Sequence, residues 1–370
     1  TNKQHTAKLF ARRGFRVLYV ESAGLRKPTV NRRDIKRIWE RLKKGLSPIK
    51  EVEKNVWLLS PLGVPFKQHL SCVRWINQGL LRLRIRLFVW LNAFVNPIVW
   101  TYHPYIFSAI RKSEIGPLIY HCVDDLAAVP GVDAHNFLIN EKILLKQSDF
   151  VFVTNKVLLR KCELENSNVH YMSNVVDLDH FLKAHIIQPP PSVLLKTTYP
   201  RLCYLGALSD YKVDFELLFS IASKRCDWSW IFIGDEREGQ KNAWFNKLNE
   251  LSNVFCIGKV HYSELPHYMS CMDVGLLPTL VNDYTKSMFP MKYFEYLAAG
   301  LPVVSTQIEF AKDPRLEMLI GADALEFECA IEKQLLKGRY NKAQSVLLVG
   351  ENTWDARLDK MLKIIHSGFL

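Results

Sequence analysis

The sequence predicts an α/β protein made of two Rossmann-like domains, each a parallel sheet with helices on both faces. Three observations lead there. At 370 residues the chain is long enough for two hydrophobic cores rather than one. Short β-branched and aromatic runs, such as residues 15–20, 150–154 and 230–233, alternate with helical patterns, as parallel sheets with crossover helices require. Between two such series lie three consecutive prolines, Pro189 to Pro191, which enforce an extended connection. The expected organisation is a first domain over 1–187, a linker over 188–200 and a second domain from 201.

Bulk properties narrow the function. Hydrophobic residues make up 48% and charged residues 23%, the balance of a soluble globular protein. Lys plus Arg exceed Asp plus Glu by 49 − 37 = 12, and the isoelectric point is about 9.2. Such a charge suits nucleic acid, anionic lipid or a phosphorylated substrate. No zinc-ligand spacing, RNP-like motif or arginine-rich tail supports nucleic acid, so none is expected as a partner. The eight cysteines are scattered without a C-x-x-C, as reduced core residues of a cytoplasmic protein would be. There is no signal peptide pattern and no apolar run of about 18 residues or more.

The chain opens within a helix whose apolar face is Ala7, Leu9 and Phe10. Gly14 ends it, and residues 15–20 form a buried strand. A doubly wound sheet places a strand and a loop before such a helix, so a first strand and its Gly-rich loop are expected upstream of Thr1. Residues 31–54 are strongly charged and read as a solvated excursion. Val56–Leu59 is a short strand, followed by a Pro/Gly loop at 61–65. Residues 71–91 are basic and apolar together. Val73, Ile76, Leu80, Leu83, Leu87 and Leu91 fit one helix, flanked by Arg74, Arg82, Arg84 and Arg86, with Trp75, Phe88 and Trp90 adding bulk. Two readings stay open: a crossover helix packed on its own sheet, or a basic amphipathic helix at a membrane interface.

Residues 98–102 form the next strand, ending in His103. Residues 117–123 form another and run into Asp124 and Asp125. Ligands of open α/β sheets bind outside the carboxyl ends of strands, which places these two acids for chemistry. Adjacent side chains point in different directions, so one of them, Asp125, is expected to face the site while Asp124 holds the loop. In the bland alternative both only structure the turn. A helix over 135–146 and strands over 150–154 and 169–172 complete the first domain.

The second domain starts with the strand Arg201–Leu205, then Gly206, Ala207 and Ser209 before the helix Phe215–Ala222. Gly206 permits a ligand to approach the backbone closely. Strands follow over 230–233, ending at Gly234, over 254–257, leading to Lys259 and Val260, and over 273–277. The loop 279–289, with Asn282, Asp283, Tyr284, Lys286, Ser287, Met288 and Phe289, is expected beside a bound ligand. Residues 287–306 read as a helix and a strand. Pro290 suits a first helical turn, Met291, Phe294 and Leu297 share a face, Gly300 ends the helix, and Val303 and Val304 are a buried strand. Lys292 and Glu295 lie three apart on one face. The helix N-terminus is a seat for a diphosphate, to which Lys292 adds charge, and Glu295 can take a pair of ribose hydroxyls. A solvated ion pair on an amphipathic helix is the bland alternative. Beyond residue 306 the pattern weakens to a strand over 324–327, a helix over 331–336 and a last helix from Thr353 to His366.

The wording of 290–304, P-x-K-x-x-E-Y-L-A-A-G-x-P-V-V, closely resembles the donor-binding signature of two-domain (GT-B) glycosyltransferases. The similar group is the bacterial exopolysaccharide, capsule and teichuronic acid-type enzymes, which are family 4-like. YHCVDDLAAVPG, NVVDLDHF, YLGALSDYKVDFELL, YSELP and Thr353–Trp354–Asp355 with Arg357 resemble further segments of that group, in the same order. The resemblance implies two Rossmann-like domains facing across a cleft, with 351–370 crossing back to the first domain. It implies that Glu295 holds the nucleotide ribose, Lys292 and the Gly206 loop the diphosphate, and the loop after residue 257 the base. Asp125, or Asp124, would deprotonate the acceptor. The implied co-substrate is a nucleoside diphosphate-sugar, UDP-sugar favoured and GDP-sugar possible, with no tightly bound cofactor and no metal. Asp177–Leu178–Asp179 spells D-x-D but sits in the crossing motif. The implied acceptor is a saccharide, lipid-linked given the basic helix, at the inner face of the cytoplasmic membrane. Ser287 stands where many relatives carry a second Glu, which leaves retention and inversion both open. Two rival functions fit the same fold: a nucleotide-sugar 2-epimerase, and a non-catalytic scaffold.

Overall fold

The computed structural model describes residues 2–21, 45, 47–61, 71–105, 110, 112–236 and 242–368. Most of the charged stretch 31–54 and of the loop 61–65 lies outside these residues. The chain divides into two compact units, 1–172 with 361–370, and 173–360.

In the first unit, helix α1 (Asn2–Arg12) leads into β1 (Val17–Val20), β2 (Lys50–Glu53) and β3 (Val56–Leu59). Helix α2 (Ser71–Leu91) precedes β4 (Val99–Thr101) and β5 (Leu118–Cys122), and α3 (Ala134–Gln147), β6 (Phe150–Val153), α4 (Lys156–Glu163) and β7 (Val169–Tyr171) follow. The strands form two sheets, ordered β1-β3-β2 and β4-β5-β6-β7. All pairs are parallel except β2 with β3. Strand β2 falls inside the stretch read as a solvated excursion; its sequence KEVE is exposed throughout, so no apolar alternation marks it.

Helix α2 has the expected bounds but turns its apolar stripe outward. Trp75 is 76% exposed, Leu83 65% and Trp90 75%, with Ile76, Leu87 and Leu91 also exposed. It packs through the opposite side, where Leu81 and Phe88 are buried and Ile85 joins Leu59. Arg84 points inward and donates to the carbonyls of Gly45, Ser60 and Ser47.

The second unit comprises α5 (Leu178–Phe181), β8 (Arg201–Leu205), α6 (Phe215–Ala222), β9 (Ser229–Ile233), α7 (Ala243–Asn249), β10 (Val254–Gly258), α8 (Leu265–Met269), β11 (Val274–Leu277), α9 (Lys292–Ala298), β12 (Val303–Thr306), β13 (Leu319–Gly321), α10 (Ala324–Lys337) and α11 (Lys342–Val349). Helix α12 (Trp354–Ser367) spans the division between the units, and its Met361 and Ile365 pack with Ile119, Phe150 and Phe152. The six-stranded sheet is parallel throughout, ordered β10-β9-β8-β11-β12-β13. Its first three strands run outward and the fourth returns to the other side of β8, the doubly wound order.

One expectation needs correction here. Residues 324–327 are not a strand but the first turn of α10, because Asp323 caps the helix by accepting from the Glu326 N–H at 2.9 Å. The strand of that region is β13. The stretch 188–200 packs on the second unit: Leu194 is fully buried in the core cluster that also holds Phe181 and Ala184, and Arg201 donates to the carbonyls of Leu194 and Thr197.

Tyr296 of α9 braces the centre of this sheet. Fully buried, its hydroxyl accepts from the Leu205 N–H at 2.8 Å and lies 3.3 Å from the carbonyls of both Cys203 and Leu276. The ring packs against Gly275, where an added Cβ would come to 2.5 Å from it. Tyr296→Phe leaves the Leu205 N–H without its acceptor and should cost about 1–3 kcal/mol in urea unfolding, with no loss of far-UV dichroism in buffer.

Candidate functional site

The doubly wound order puts a switch point between β8 and β11, and open α/β sheets bind their ligands outside the carboxyl ends of such strands. The backbone there is stitched loop to loop. The Gly206 N–H donates to Ile233 O and the Gly234 N–H to Gly258 O, both at 2.9 Å, and the Leu208 N–H donates to Asp235 O at 3.2 Å. Gly206 and Gly234 have φ of +149° and +147°, and a Cβ on Gly234 would lie 1.9 Å from Gly206 O. Only glycine allows this approach. A Cβ on Gly206 would meet Lys292 Cε at 3.0 Å and Nζ at 3.4 Å. The Lys292 ammonium therefore sits over the bare backbone at the end of β8, a point charge beside Gly206. Ala207 lies in the same loop, its carbonyl accepting from the Tyr204 hydroxyl at 2.9 Å.

One turn on, Glu295 is half-buried. Burial raises its carboxyl above the usual carboxylate range, and Lys292 pulls it partly back. Tyr262 lies close enough for the Glu295 and Asp177 carboxylates to add to the upward shift that burial gives its phenol. Its ring stacks on His180, with centroids 4.3 Å apart at 15°. The His180 ring nitrogen meets Tyr262 O at 2.8 Å. This stacked pair beside Glu295 was not legible in the sequence, because its members are 82 residues apart. Asp177 caps α5 by accepting from the His180 N–H, so the first acid of the D-x-D string serves a helix. Lys259 is exposed and Val260 half-buried against the core.

The loop after β11 is braced internally. Asn282 Oδ1 accepts from the N–H groups of Tyr284 and Thr285 at 3.0 Å, and its Nδ2 donates to Tyr211 O at 2.8 Å. Tyr284 is buried edge-on to Tyr211, with Lys212 over its ring. Ser287 is buried and donates to Tyr284 O at 3.1 Å. Phe289 belongs to the core, Met288 packs on it, and the Phe289 carbonyl accepts from Asn174 Nδ2 at 2.5 Å. Asp283 and Lys286 pair at 2.6 Å on the surface. Asn282 is thus a loop staple, while Ser209, also buried, anchors the turn into Val213 through its carbonyl.

In the first unit, Asp124 and Asp125 follow β5. Asp125 Oδ1 meets Lys161 Nζ at 3.0 Å, and the same ammonium meets Glu141 Oε2 at 2.9 Å. Glu141 is buried and also accepts from the Tyr120 hydroxyl at 2.6 Å. Burial pulls the Lys161 pKa down, but Glu141 and then Asp125 outweigh it and hold the ammonium charged above its usual range. Asp124 interacts with Lys3 of α1. His103, at the end of β4, is buried, and desolvation, with Lys3 adding to it, lowers its pKa to about 4. It is neutral at pH 7. Lys161 and Glu141 had no place in the sequence reading. The acids Asp124 and Asp125 lie in the first unit, and Lys292, Glu295 and the glycine loops in the second.

Comparison with known proteins finds similarity that includes the second unit's loops. Residues 199–337 match the model of the group described as "Glycosyl transferases group 1". The Bacillus subtilis (strain 168) protein TuaH, provisionally named a teichuronic acid biosynthesis glycosyltransferase, is 29% identical over 236 residues, or 59% of this chain. The match spans 58% of that relative's length. Among solved structures, the sucrose-phosphate synthase of Thermosynechococcus elongatus superposes with a TM-score of 0.70 at 17% identity, covering 99% of this chain and 92% of the other. Anabaena HepE in complex with UDP-glucose superposes with a TM-score of 0.66 at 12% identity, covering 99% and 95%. These likenesses show the fold, which is that of the GT-B glycosyltransferases.

Proposed function

We propose that the protein is a glycosyltransferase that moves a sugar from a nucleoside diphosphate-sugar to a saccharide acceptor in bacterial surface polysaccharide synthesis. The observation that carries this reading is Lys292 poised over Gly206 at the switch point of the second sheet. Backbone N–H groups and the ammonium would take the diphosphate, and the half-buried Glu295 the ribose. The loop at Lys259 and Val260 would frame the base, and the loop 279–289 the sugar. UDP is the favoured nucleotide, since HepE is solved with UDP-glucose and with UDP. The leaving diphosphate would be stabilised by these groups without a metal. Asp125, or Asp124, in the first unit would take the acceptor's proton. A nucleotide-sugar 2-epimerase is the second reading, and conversion of a UDP-sugar without acceptor would favour it.

Thermal unfolding with UDP, GDP, CMP or dTDP, with and without magnesium, tests the donor site. A single nucleotide should raise the midpoint, equally in either buffer. Lys292→Ala should weaken binding of that nucleotide by about 10- to 100-fold, the loss of one charge-assisted contact, and Glu295→Gln should weaken the nucleoside to a similar degree. Asp125→Asn should slow transfer with nucleotide affinity retained. A panel without any shift overturns the reading.

The acceptor is proposed to be lipid-linked, with the protein peripheral on the inner face of the cytoplasmic membrane. Among the described residues no helix is long and apolar enough to cross a membrane, but α2 offers an exposed stripe of Trp75, Ile76, Leu83, Leu87 and Trp90 on a chain with net charge +12. Arg84 anchors carbonyls and Arg86 pairs with Glu114, so the apolar side chains are the cleaner test. Leu83→Ser/Leu87→Ser should cut sedimentation with phosphatidylglycerol vesicles by about tenfold or more, given about 1.5–3 kcal/mol per buried leucine. Unchanged sedimentation would remove the membrane from the proposal.

A further inference from the structure

We infer that Tyr204 is a further binding residue for the diphosphate, its hydroxyl turning from a backbone carbonyl to a phosphate oxygen when the ligand arrives. This rests on the reading of the second unit as a nucleotide-sugar site. Strand β8 is buried at Arg201, Leu202, Cys203 and Leu205, and Tyr204 alone is half-buried. Its ring packs on the core face that holds Leu202 and Phe232, with the Phe232 ring centre 6.1 Å away. The hydroxyl reaches the carboxyl end of the strand, 3.2 Å from the point that a Cβ on Gly206 would take. Lys292 Nζ lies 3.4 Å from that same point. It comes from the other face of the sheet, since α9 packs with Cys203 and Leu205. A neutral O–H and an ammonium thus converge from opposite sides over one bare residue.

The phenol is placed to change partners at little cost. It donates to Ala207 O at 2.9 Å, and burial pushes its pKa above the usual phenol range, so the proton stays on the oxygen. The Ala207 carbonyl also accepts from the Ser209 N–H at 3.1 Å. If the phenol leaves, that carbonyl keeps a partner, and no buried acceptor is orphaned. The proton moves by rotation about the C–O bond, with the ring staying where it is. A phosphate oxygen carries charge that the carbonyl lacks, and hydrogen bonds to such an oxygen are roughly twice as strong. The exchange therefore favours the ligand. Lys292 supplies charge without direction, whereas the single phenol proton fixes where one phosphate oxygen sits. A nucleoside without phosphates would gain nothing from it.

Tyr204→Phe keeps the ring against Phe232 and removes the hydroxyl alone. Calorimetry with UDP and GDP, and ligand-detected NMR with uridine and guanosine, compare this variant with the full wild-type chain. Affinity for the diphosphate that binds should fall by about 5- to 20-fold, and affinity for its nucleoside by less than about twofold. Amide exchange at Gly206 and Leu208 in the ligand-free variant should match the wild type, because those N–H groups donate elsewhere, to Ile233 O and Asp235 O. Unchanged affinity for the diphosphate, or an equal loss for the nucleoside, would overturn the inference. So would faster exchange at Gly206 and Leu208 without ligand, which would make Tyr204 a staple of the loop. A wild-type chain that binds neither UDP nor GDP would overturn the nucleotide-site reading itself, and this inference with it, before any variant is compared.

Discussion

Gly234→Ala should abolish nucleotide binding while the second unit stays folded. The new methyl would stand 1.9 Å from Gly206 O and 2.7 Å from Gly206 C, and both are backbone atoms with no rotamer to relieve the clash. The two loops must separate, which breaks the Gly206-to-Ile233 and Gly234-to-Gly258 hydrogen bonds and moves the peptide groups under Lys292. Holding a non-glycine residue at φ +147° adds strain of about 1–3 kcal/mol. Calorimetry should find affinity for the nucleotide reduced by more than about 100-fold, equivalent to about 3 kcal/mol. Gly258→Ala is the control. Its φ is +78°, but its nearest neighbour would be Asp235 Oδ1 at 3.9 Å, so a cost of about 1–2 kcal/mol and retained binding are expected.

Lys161→Met should have the largest effect on stability. Its ammonium is the cation that meets both Glu141 and Asp125. Glu141 is only 1% exposed, and its carboxylate cannot turn to water when the partner goes. Removing one member of such a pair costs about 3–5 kcal/mol, most of it from the charge left behind. Urea unfolding of the first unit should shift accordingly. In Lys161→Met/Glu141→Gln much of the loss should return, because the neutral amide can still accept from the Tyr120 hydroxyl. If the double variant is no more stable than the single one, the buried carboxylate is not the cause.

Much of the second unit was legible in the sequence. Arg201–Leu205 and Phe215–Ala222 have the expected bounds, since buried parallel strands are continuous apolar runs and helix ends carry caps such as Asp214. The loops at Gly206 and Gly234 were legible for the same reason, a glycine after a strand. What failed had other physics. Strand β2 is held by its neighbour rather than by its own pattern. The strand expected at 324–327 ignored Asp323, whose capping outweighs a short apolar run. The outward face of α2 could not be read from spacing, since either side of that helix carries apolar residues. The Lys161 pairing joins residues 20 and 36 apart in sequence, and no local signal predicts such a meeting.

Gly275 and Tyr296 bear on how this fold can change over descent. The ring fills the space a side chain at 275 would need, and its hydroxyl answers peptide groups of both β8 and β11. A lineage that enlarges residue 275 first meets a steric collision. One that shrinks residue 296 first meets a void and an orphaned N–H. Each single step descends into low fitness, and only the paired exchange reaches a second viable sequence. The two positions are therefore inherited as one unit.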